Sequence, residues 1–284
     1  MPLGALVAHG MGRQEAGFAE GLRSRVAAQL GESAGLIVWQ EVHWAPILEP
    51  RESDLWNAMQ RAVDPQGAAI PLDWARVRRF VLHNFGDATA YQRDQHVESA
   101  GQLIHQRVSN AIEKLSERLA DPTAPIVVLA HSLGGHIMSN YIWDRQHPSA
   151  DQQVGQPLLP LPTLAGMITF GCNIPLFALA YRDAKPIDLP GTAISDPALV
   201  AAVRWLNFLD RDDVLGWPLR PLYEKDAADF SPGQKRTLDH LEDHEIGVGG
   251  AVTGWTPAAH DYYWEDADFV EPVARYFQSL LPHV

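Results

Sequence analysis

Short apolar runs recur along the chain, and longer stretches of helical character separate them. Three of the runs have no polar alternation, which is typical of strands buried on both faces of a parallel sheet. These runs are residues 5–8, 126–130 and 167–170, and residues 203–209 and 36–42 are two further strand candidates. Strands that alternate with helices predict an α/β protein with a mostly parallel central sheet, helices on both faces, and ligands bound beyond the carboxyl ends of the strands.

Apolar residues at steps of three and four predict a long helix over residues 92–119. The stripe consists of Val97, Ala100, Ile104, Val108, Ile112, Leu115 and Leu119. One side of this helix should therefore pack on the sheet. Pro122 and Pro125 follow directly, and proline lacks the N–H that a continuing helix would need. Further helices are predicted over about residues 14–30 and near the end of the chain, where Phe269 and Phe277 lie on one side.

Three stretches fit the strand and helix alternation less well, namely residues 44–90, 172–200 and 214–258. None has enough apolar periodicity to build a core alone. We therefore predict a single domain over residues 1–284, in which these stretches are cap-like excursions over the sheet.

Charge and composition exclude several classes of protein. The formal net charge is −13, which repels phosphate backbones, so nucleic acid is not expected as a partner. Cys172 is the single cysteine, so no intrachain disulfide can form, and we expect a small buried hydrophobe there. Residues 1–12 are not typical of a secretion signal, and no uncharged apolar run reaches the roughly 18 residues that span a bilayer. We expect a soluble, cytoplasmic protein without stable membrane insertion.

A sharp turn after the strand at 126–130 presents Ser132. The order is strand, turn and helix, within Ala130-His131-Ser132-Leu133-Gly134-Gly135. A turn that projects a serine above a sheet needs small residues two positions before and after it, and Ala130 and Gly134 meet this requirement. The helix that follows places the Leu133 N–H where it can stabilise a developing oxyanion. The alternative is a serine that merely caps a helix.

The first strand ends in a second glycine-rich turn, His9-Gly10-Met11-Gly12. Gly10 and Gly12 allow the backbone to present a free N–H, that of Met11, toward the space above Ser132. A phosphate-binding loop is the alternative, but neither G-x-G-x-x-G nor a GK[ST] ending is present. His9 and His131 flank the two turns and are expected to be hydrogen-bonded structural residues.

A serine nucleophile needs a base, and His260 is the favoured candidate among the 12 histidines. It precedes the last amphipathic helix, from where an imidazole can lie over the sheet. His240 and His244 compete with it, because their spacing of four could clamp a metal on a helix face. No third ligand is identifiable, so we interpret their segment as a solvated acidic face and predict no metal site and no cofactor.

The acid should follow a later strand, and Asp210, Asp212 and Asp213 crowd the loop after residue 209. One of them can accept from the imidazole, while the others cap turns or pair with Arg211. With Asp213 as the acid and Asp212 as the alternative, the order is Ser132, Asp213, His260. This is the order of α/β-hydrolases and not that of chymotrypsin-like or subtilisin-like chains.

These motifs together resemble those of the α/β-hydrolase superfamily, in its lipase and serine-esterase branch. The first turn is similar to an HGxGxQ start and the Ser132 turn to G-H-S-L-G-G, with Ala130 in place of the first glycine. The loop from Asp210 to Trp217 resembles the acid loop of phospholipase-like members, in which Asp213 takes the acid position. His260-Asp261-Tyr262-Tyr263 resembles an H-x-x-Y ending. The resemblance implies an α/β-hydrolase fold.

The function expected is therefore hydrolysis of carboxylic esters through an acyl-Ser132 intermediate. A thioesterase, an amidase or a non-catalytic module of the same fold are the alternatives. The substrate is expected to be a small apolar ester or acyl compound under a tryptophan-rich roof. Its members would be Trp44, Trp56, Trp74, Trp217 and Trp255. The sequence does not indicate an oligomeric state.

Overall fold

Six parallel strands form the centre of the protein in this computed structural model, which describes residues 2–91, 99–148, 158–180, 183–249 and 259–284. The strands are β1 (Leu3–Ala8), β2 (Ile37–Val42), β3 (Ile126–His131), β4 (Leu164–Phe170), β5 (Trp205–Leu209) and β6 (Leu241–Glu245). They lie in the order β2-β1-β3-β4-β5-β6, and all neighbouring pairs are parallel. The predicted parallel sheet is confirmed.

The described helices cover both faces of this sheet. They are α1 (Glu20–Leu30), α2 (Glu49–Met59), α3 (Ala75–Ala90), α4 (Ala100–Leu119), α5 (Leu133–Gln146), α6 (Ile174–Ala178), α7 (Pro197–Ala202), α8 (Arg220–Glu224), α9 (Pro232–Asp239), α10 (Ala259–Tyr262) and α11 (Ala267–Leu280). Short 3-10 turns lie at Gly31–Leu36, Ala45–Ile47, Ala227–Asp229, Tyr263–Glu265 and Leu281–His283. None of the described helices is long and apolar enough to cross a membrane.

Alternate side chains of strands β1 to β5 enter two separate cores. In β1, Leu6 packs with α4 and α5 on one face, while Leu3, Ala5 and Val7 pack with α1 and α11 on the other. All of these side chains are fully buried. The absence of polar alternation in the sequence follows from this arrangement, since both faces of a central strand lie in apolar surroundings.

The chain reverses its direction of winding between β1 and β3. Strand β2 lies on one side of β1, and β3 and the later strands lie on the other. The loops that leave β1 and β3 therefore diverge at a crevice beyond their carboxyl ends, which is where open α/β sheets bind ligands. These two loops carry the turn at Gly10–Gly12 and Ser132.

The sixth strand was not predicted. The spacing of His240 and His244 was interpreted as one face of a helix, and this interpretation was wrong. Residues 241–245 pair with β5 at the edge of the sheet. Asp243 explains why a run this polar forms a strand: its carboxylate accepts from Asn207 Nδ2 at 2.7 Å and from the Leu219 and Arg220 N–H groups at 2.9 and 2.8 Å. The acidic residues are thus not all solvated.

Two helix starts differ from the predictions. α1 begins at Glu20, because residues 16–19 form a turn in which the Gly17 and Ala19 N–H groups donate to Glu41. α4 begins at Ala100 with Ser99 as its N-cap, and residues 92–98 of the predicted helix lie outside the described part of the chain. Helices α2 and α3 occupy most of the excursion at 44–90. A single domain over residues 1–284 stays a prediction.

Candidate active site

Ser132 lies in a strained turn between β3 and α5. Its φ is 52° and its ψ is −125°, a conformation that costs a non-glycine residue about 1–3 kcal/mol. The turn is fixed on both sides: the Ser132 N–H donates to the Phe170 carbonyl at 3.0 Å, and the side chain is fully buried. A strained turn of this kind at the carboxyl end of a strand is typical of a nucleophile elbow.

Glycine is needed after the serine because other backbone lies against the turn. A Cβ on Gly134 would stand 2.5 Å from the His9 carbonyl oxygen, and one on Gly135 would stand 2.9 Å from the Cys172 sulfur. The first contact is with backbone, which cannot move aside. Ala130 replaces the glycine that is more usual before the serine, and its methyl group is buried among apolar side chains.

The turn after β1 lies directly against Ser132. A Cβ on Gly10 would stand 2.6 Å from the Ser132 Cβ, so only glycine permits this approach. His9 holds the turn: its Nε2 accepts from the Trp44 and Ala45 N–H groups at 3.1 and 3.3 Å, and its Nδ1–H donates to the Gly10 carbonyl at 2.8 Å. Burial lowers the pKa of His9 to about 3, so the ring stays neutral.

The two predicted oxyanion donors flank this contact. Leu133 is the first residue of α5, where helix N–H groups have no partner within the helix, and Met11 lies between Gly10 and Gly12. Neither N–H donates to another residue in the described part of the chain. Both groups are thus free to bind a ligand oxygen, and their role as donors stays a prediction.

Three predicted residues meet above the sheet. The Ser132 hydroxyl lies 2.7 Å from His260 Nε2, and His260 Nδ1 lies 2.9 and 3.0 Å from the two oxygens of Asp213. This is the geometry in which a base accepts the serine proton while its other nitrogen donates to a carboxylate. His260 lies in the one-turn helix α10, ahead of the last long helix α11 as predicted.

The Asp213 carboxylate is buried but well supplied with donors. Its oxygens accept from the Leu215 N–H and the Tyr263 hydroxyl, both at 3.0 Å. Burial alone would raise the pKa of Asp213, but the hydrogen bond and charge of His260, together with these two donors, outweigh burial and lower it. Asp213 is therefore an anion that fixes the orientation of the imidazole.

The other acidic residues of the loop have different partners. Asp210 is buried and accepts from the Asp212 and Val248 N–H groups at 2.7 and 2.6 Å, which fixes the shape of the loop. Asp212 is exposed. Arg211 pairs with Glu245 on β6, and not with a neighbouring aspartate as we expected.

The remaining predicted histidines have structural partners. His131 Nε2–H donates to the His260 carbonyl at 2.7 Å, and its ring lies 4.7 Å from that of His260. Burial, and then the neighbouring His260, lower the pKa of His131 well below its usual value. His240 contacts Val203 and Arg204, and His244 contacts Glu242. No cluster of three metal-ligating side chains exists among the residues described.

The tryptophans predicted to form a roof are divided between core and surface. Trp44 is fully buried and stacks on His9 at 4.6 Å, and Trp56 is 9% exposed. Trp74 and Trp217 are exposed, and Trp255 lies outside the described residues. Trp44 thus supports the turn after β1 from within the core.

Several residues that shape the site were not predicted. Gly171 has a φ of 55°, and a Cβ there would stand 3.1 Å from both His260 and Asp213. Tyr263 binds Asp213 and also accepts from the Asp210 N–H at 2.8 Å. Glu52, His83 and Asp87 form a buried group beside Gly12. The H-x-x-Y ending marked Tyr263, whereas no sequence pattern marked the other four.

The parallel sheet, the sharp turn at Ser132 and the position of the loop that carries Asp213 together define an α/β-hydrolase-like fold. No family model matches the chain, and no curated protein matches it. Among solved structures, one is described with LipS and LipT, two metagenome-derived lipolytic enzymes. The two chains are 14% identical, the match covers 87% of this chain and 84% of the other, and the TM-score is 0.37. A likeness of this size does not define a family.

Proposed function

We propose that this chain is a serine hydrolase that cleaves carboxylic esters. The observation that supports the proposal is the continuous contact from the Ser132 hydroxyl through His260 to Asp213. A hydroxyl at its ordinary pKa is a weak nucleophile, and an adjacent base oriented by a third group activates it. Asp213 is the triad acid in this proposal, because Asp212 is exposed and Asp213 holds the imidazole.

The first half of the reaction forms an acyl enzyme. The Ser132 oxygen attacks the ester carbonyl carbon as its proton passes to His260 Nε2, and Asp213 stabilises the imidazolium. The carbonyl oxygen becomes an oxyanion that the Leu133 and Met11 N–H groups bind. The carbon–oxygen bond to the alcohol then breaks, and the proton on His260 goes to the departing alcohol oxygen.

The second half regenerates the free serine. His260 accepts a proton from a water molecule, whose oxygen attacks the acyl carbon. The bond from this carbon to Ser132 breaks, the serine oxygen recovers the proton from His260, and the carboxylic acid leaves.

An apolar substrate is supported by the surface of α2 and α3, which pack beside Gly12. Nine large apolar side chains on and between these helices are at least 43% exposed: Leu55, Met59, Val63, Ile70, Trp74, Val77, Phe80, Val81 and Phe85. Exposed apolar side chains concentrated in one part of a protein favour a site for apolar ligands or surfaces. We therefore propose that the acyl or alcohol part of the ester is apolar.

Covalent labelling tests the proposal. A fluorophosphonate should label the native protein at Ser132 and should not label Ser132→Ala. Nitrophenyl esters, acyl thioesters and anilides of one acyl chain then rank the ester against the thioesterase and amidase alternatives. A folded wild-type protein that neither labels nor hydrolyses any of the three would favour the non-catalytic alternative.

A further inference from the structure

Two carboxyl groups face each other in the interior beside the turn after β1. Glu52 on α2 and Asp87 on α3 are 8% and 3% exposed, and each side chain affects the pKa of the other. Two carboxylates cannot hydrogen-bond to each other, since both are acceptors. Glu52 Oε1 is buried and receives no N–H or O–H donor from the described residues unless Asp87 carries a proton.

The other oxygen of Glu52 is held by His83. His83 Nδ1 lies 2.5 Å from Glu52 Oε2, and the Arg79 Nε–H points to His83 Nε2 at 3.4 Å. Because Nε2 accepts, the hydrogen of the neutral ring lies on Nδ1 and donates to Glu52. Burial, followed by the charges of Arg13 and Arg79, lowers the pKa of His83 and keeps the ring neutral.

Asp87 connects this group to the candidate oxyanion turn. Its Oδ2 accepts from the Gly12 N–H at 2.7 Å. Gly12 has a φ of 86° and follows Met11, and Gly10 lies against Ser132. Arg13 adds a second tie, because its Nη2 donates to Ser53 on α2 at 2.9 Å. The turn is therefore held from α2 and α3 on one side and by His9 on the other.

We propose that Asp87, sharing one proton with Glu52, is a positioning residue that holds the Gly10–Gly12 turn in the shape that binds the oxyanion. The inference rests on the proposed hydrolase function. In this arrangement the Asp87 Oδ1–H donates to Glu52 Oε1, while Asp87 Oδ2 receives the Gly12 N–H. One proton therefore links α2 and α3 to the turn that carries the Met11 N–H.

The pair makes the turn sensitive to pH. Burial, together with the charge of Glu52, raises the pKa of Asp87 to about 8, and the hydrogen bond from the Gly12 N–H opposes this rise. Burial also raises the pKa of Glu52. The charge of Glu49 adds to this rise, and the charge of Arg13 opposes it. When pH rises through about 8, Asp87 ionises, the shared proton is lost and two buried carboxylates repel each other. The turn should then lose its position.

Amide substitutions test this inference with little change of shape. Asp87→Asn keeps an oxygen for the Gly12 N–H, and its NH₂ group replaces the shared proton. Asp87→Ala removes both. Asp54→Asn is the matched control, because it makes the same Asp-to-Asn substitution at an exposed position on α2. The measurement is kcat and KM for nitrophenyl butyrate from about pH 6 to 10, with circular dichroism at each pH.

We expect wild type and Asp54→Asn to lose kcat at least fivefold as pH rises through about 8, with KM nearly constant. Asp87→Asn should keep at least a third of the wild-type kcat at pH 7 and lack this alkaline decline. Glu52→Gln should also remove the decline, since its NH₂ group can donate to an ionised Asp87. Asp87→Ala should lose kcat at least tenfold at pH 7 while it stays folded.

Two results would overturn the inference. One is an alkaline decline in Asp87→Asn and Glu52→Gln that matches wild type, and the other is a folded Asp87→Ala with full kcat. If Asp87→Ala does not fold, the two amide variants decide the matter by their pH profiles. Failure of the proposed function looks different, since wild type itself would then show no hydrolysis at any pH and no fluorophosphonate labelling.

Discussion

His260 Nε2 lies 2.7 Å from the Ser132 hydroxyl, although 128 positions of the chain separate the two residues. The contact depends on close packing at two glycines: a Cβ on Gly134 would stand 2.5 Å from the His9 carbonyl oxygen, and one on Gly171 would stand 3.1 Å from His260. Ser132 leaves β3 at a positive φ, and His260 is held by the His131 side chain, which precedes Ser132 in the chain and donates to the His260 carbonyl.

Ser132→Ala should abolish hydrolysis and leave the fold unchanged, because the substitution removes one oxygen from the attacking group. Loss of a triad member reduces turnover by about 10⁴- to 10⁶-fold. Hydrolysis of nitrophenyl butyrate, with the melting temperature alongside, checks this. Ser139→Ala, seven positions along α5, is the control and should stay active. A Ser132→Ala protein with a tenth of wild-type kcat would disprove the assignment of the nucleophile.

Asp213→Asn should be far more damaging than Asp212→Asn. The amide can present its NH₂ group to His260 Nδ1 and so favour the wrong tautomer, and the analogous change in a serine protease costs about 10⁴ in turnover. Asp212 is exposed and should tolerate the change with kcat within about twofold. The kcat values of both variants are compared at pH 7. Equal losses in the two variants would contradict the role of Asp213.

Asp213 should also contribute to stability in a pH-dependent way. Its pKa is lowered in the folded protein, so the contribution is present above the unfolded pKa of about 3.9 and is lost as pH falls through the folded value. The difference in unfolding free energy between wild type and Asp213→Asn should shrink as pH falls below about 4. Urea unfolding at several pH values measures it. A difference that grows toward low pH would contradict the prediction.

Gly134→Ala should destabilise the fold, because the added methyl would stand 2.5 Å from the His9 carbonyl oxygen. Overpacking of this kind costs about 1–3 kcal/mol, and a shift of the elbow should lower kcat as well. Gly21→Ala is the control: Gly21 lies in α1 with nothing near its Cβ position, so alanine should stabilise by about 0.5–1 kcal/mol. Urea unfolding of both variants distinguishes crowding from a general effect of alanine.

The strands and motifs that the sequence predicts are those in which local pattern and tertiary setting agree. Runs such as residues 126–130 are apolar because both faces are covered, and the glycines around Ser132 are required by close backbone. Strand β6 was missed, because its burial depends on Asp243 receiving N–H groups from Leu219 and Arg220, which lie far away in sequence.

The carboxyl pair was out of reach for a similar reason. Glu52 and Asp87 are 35 positions apart, and each lies on a helix most of whose residues are exposed or only partly buried, so the sequence gives no sign of their burial. Only the packing of α2 on α3 places them together next to Gly12. Likewise, the choice between Asp212 and Asp213 as the partner of His260 depends on the direction of each side chain, which the folded loop determines.

Exposed apolar side chains on α3 should contribute to binding of long acyl chains. Phe80 and Phe85 are 56% and 50% exposed, on the helix that also carries Asp87. Replacing either residue by serine should change the free energy of unfolding by no more than about 0.5 kcal/mol, since surface positions tolerate such changes. It should lower kcat/KM for octanoate esters and leave acetate esters unchanged, because each methylene buried against the helix contributes at most about 0.8 kcal/mol, or roughly fourfold. Leu36→Ser is the control: Leu36 is 46% exposed but precedes β2, at the opposite end of the sheet from Ser132. If Phe80→Ser and Phe85→Ser reduce acetate and octanoate hydrolysis equally, the apolar surface of α3 does not bind the acyl chain.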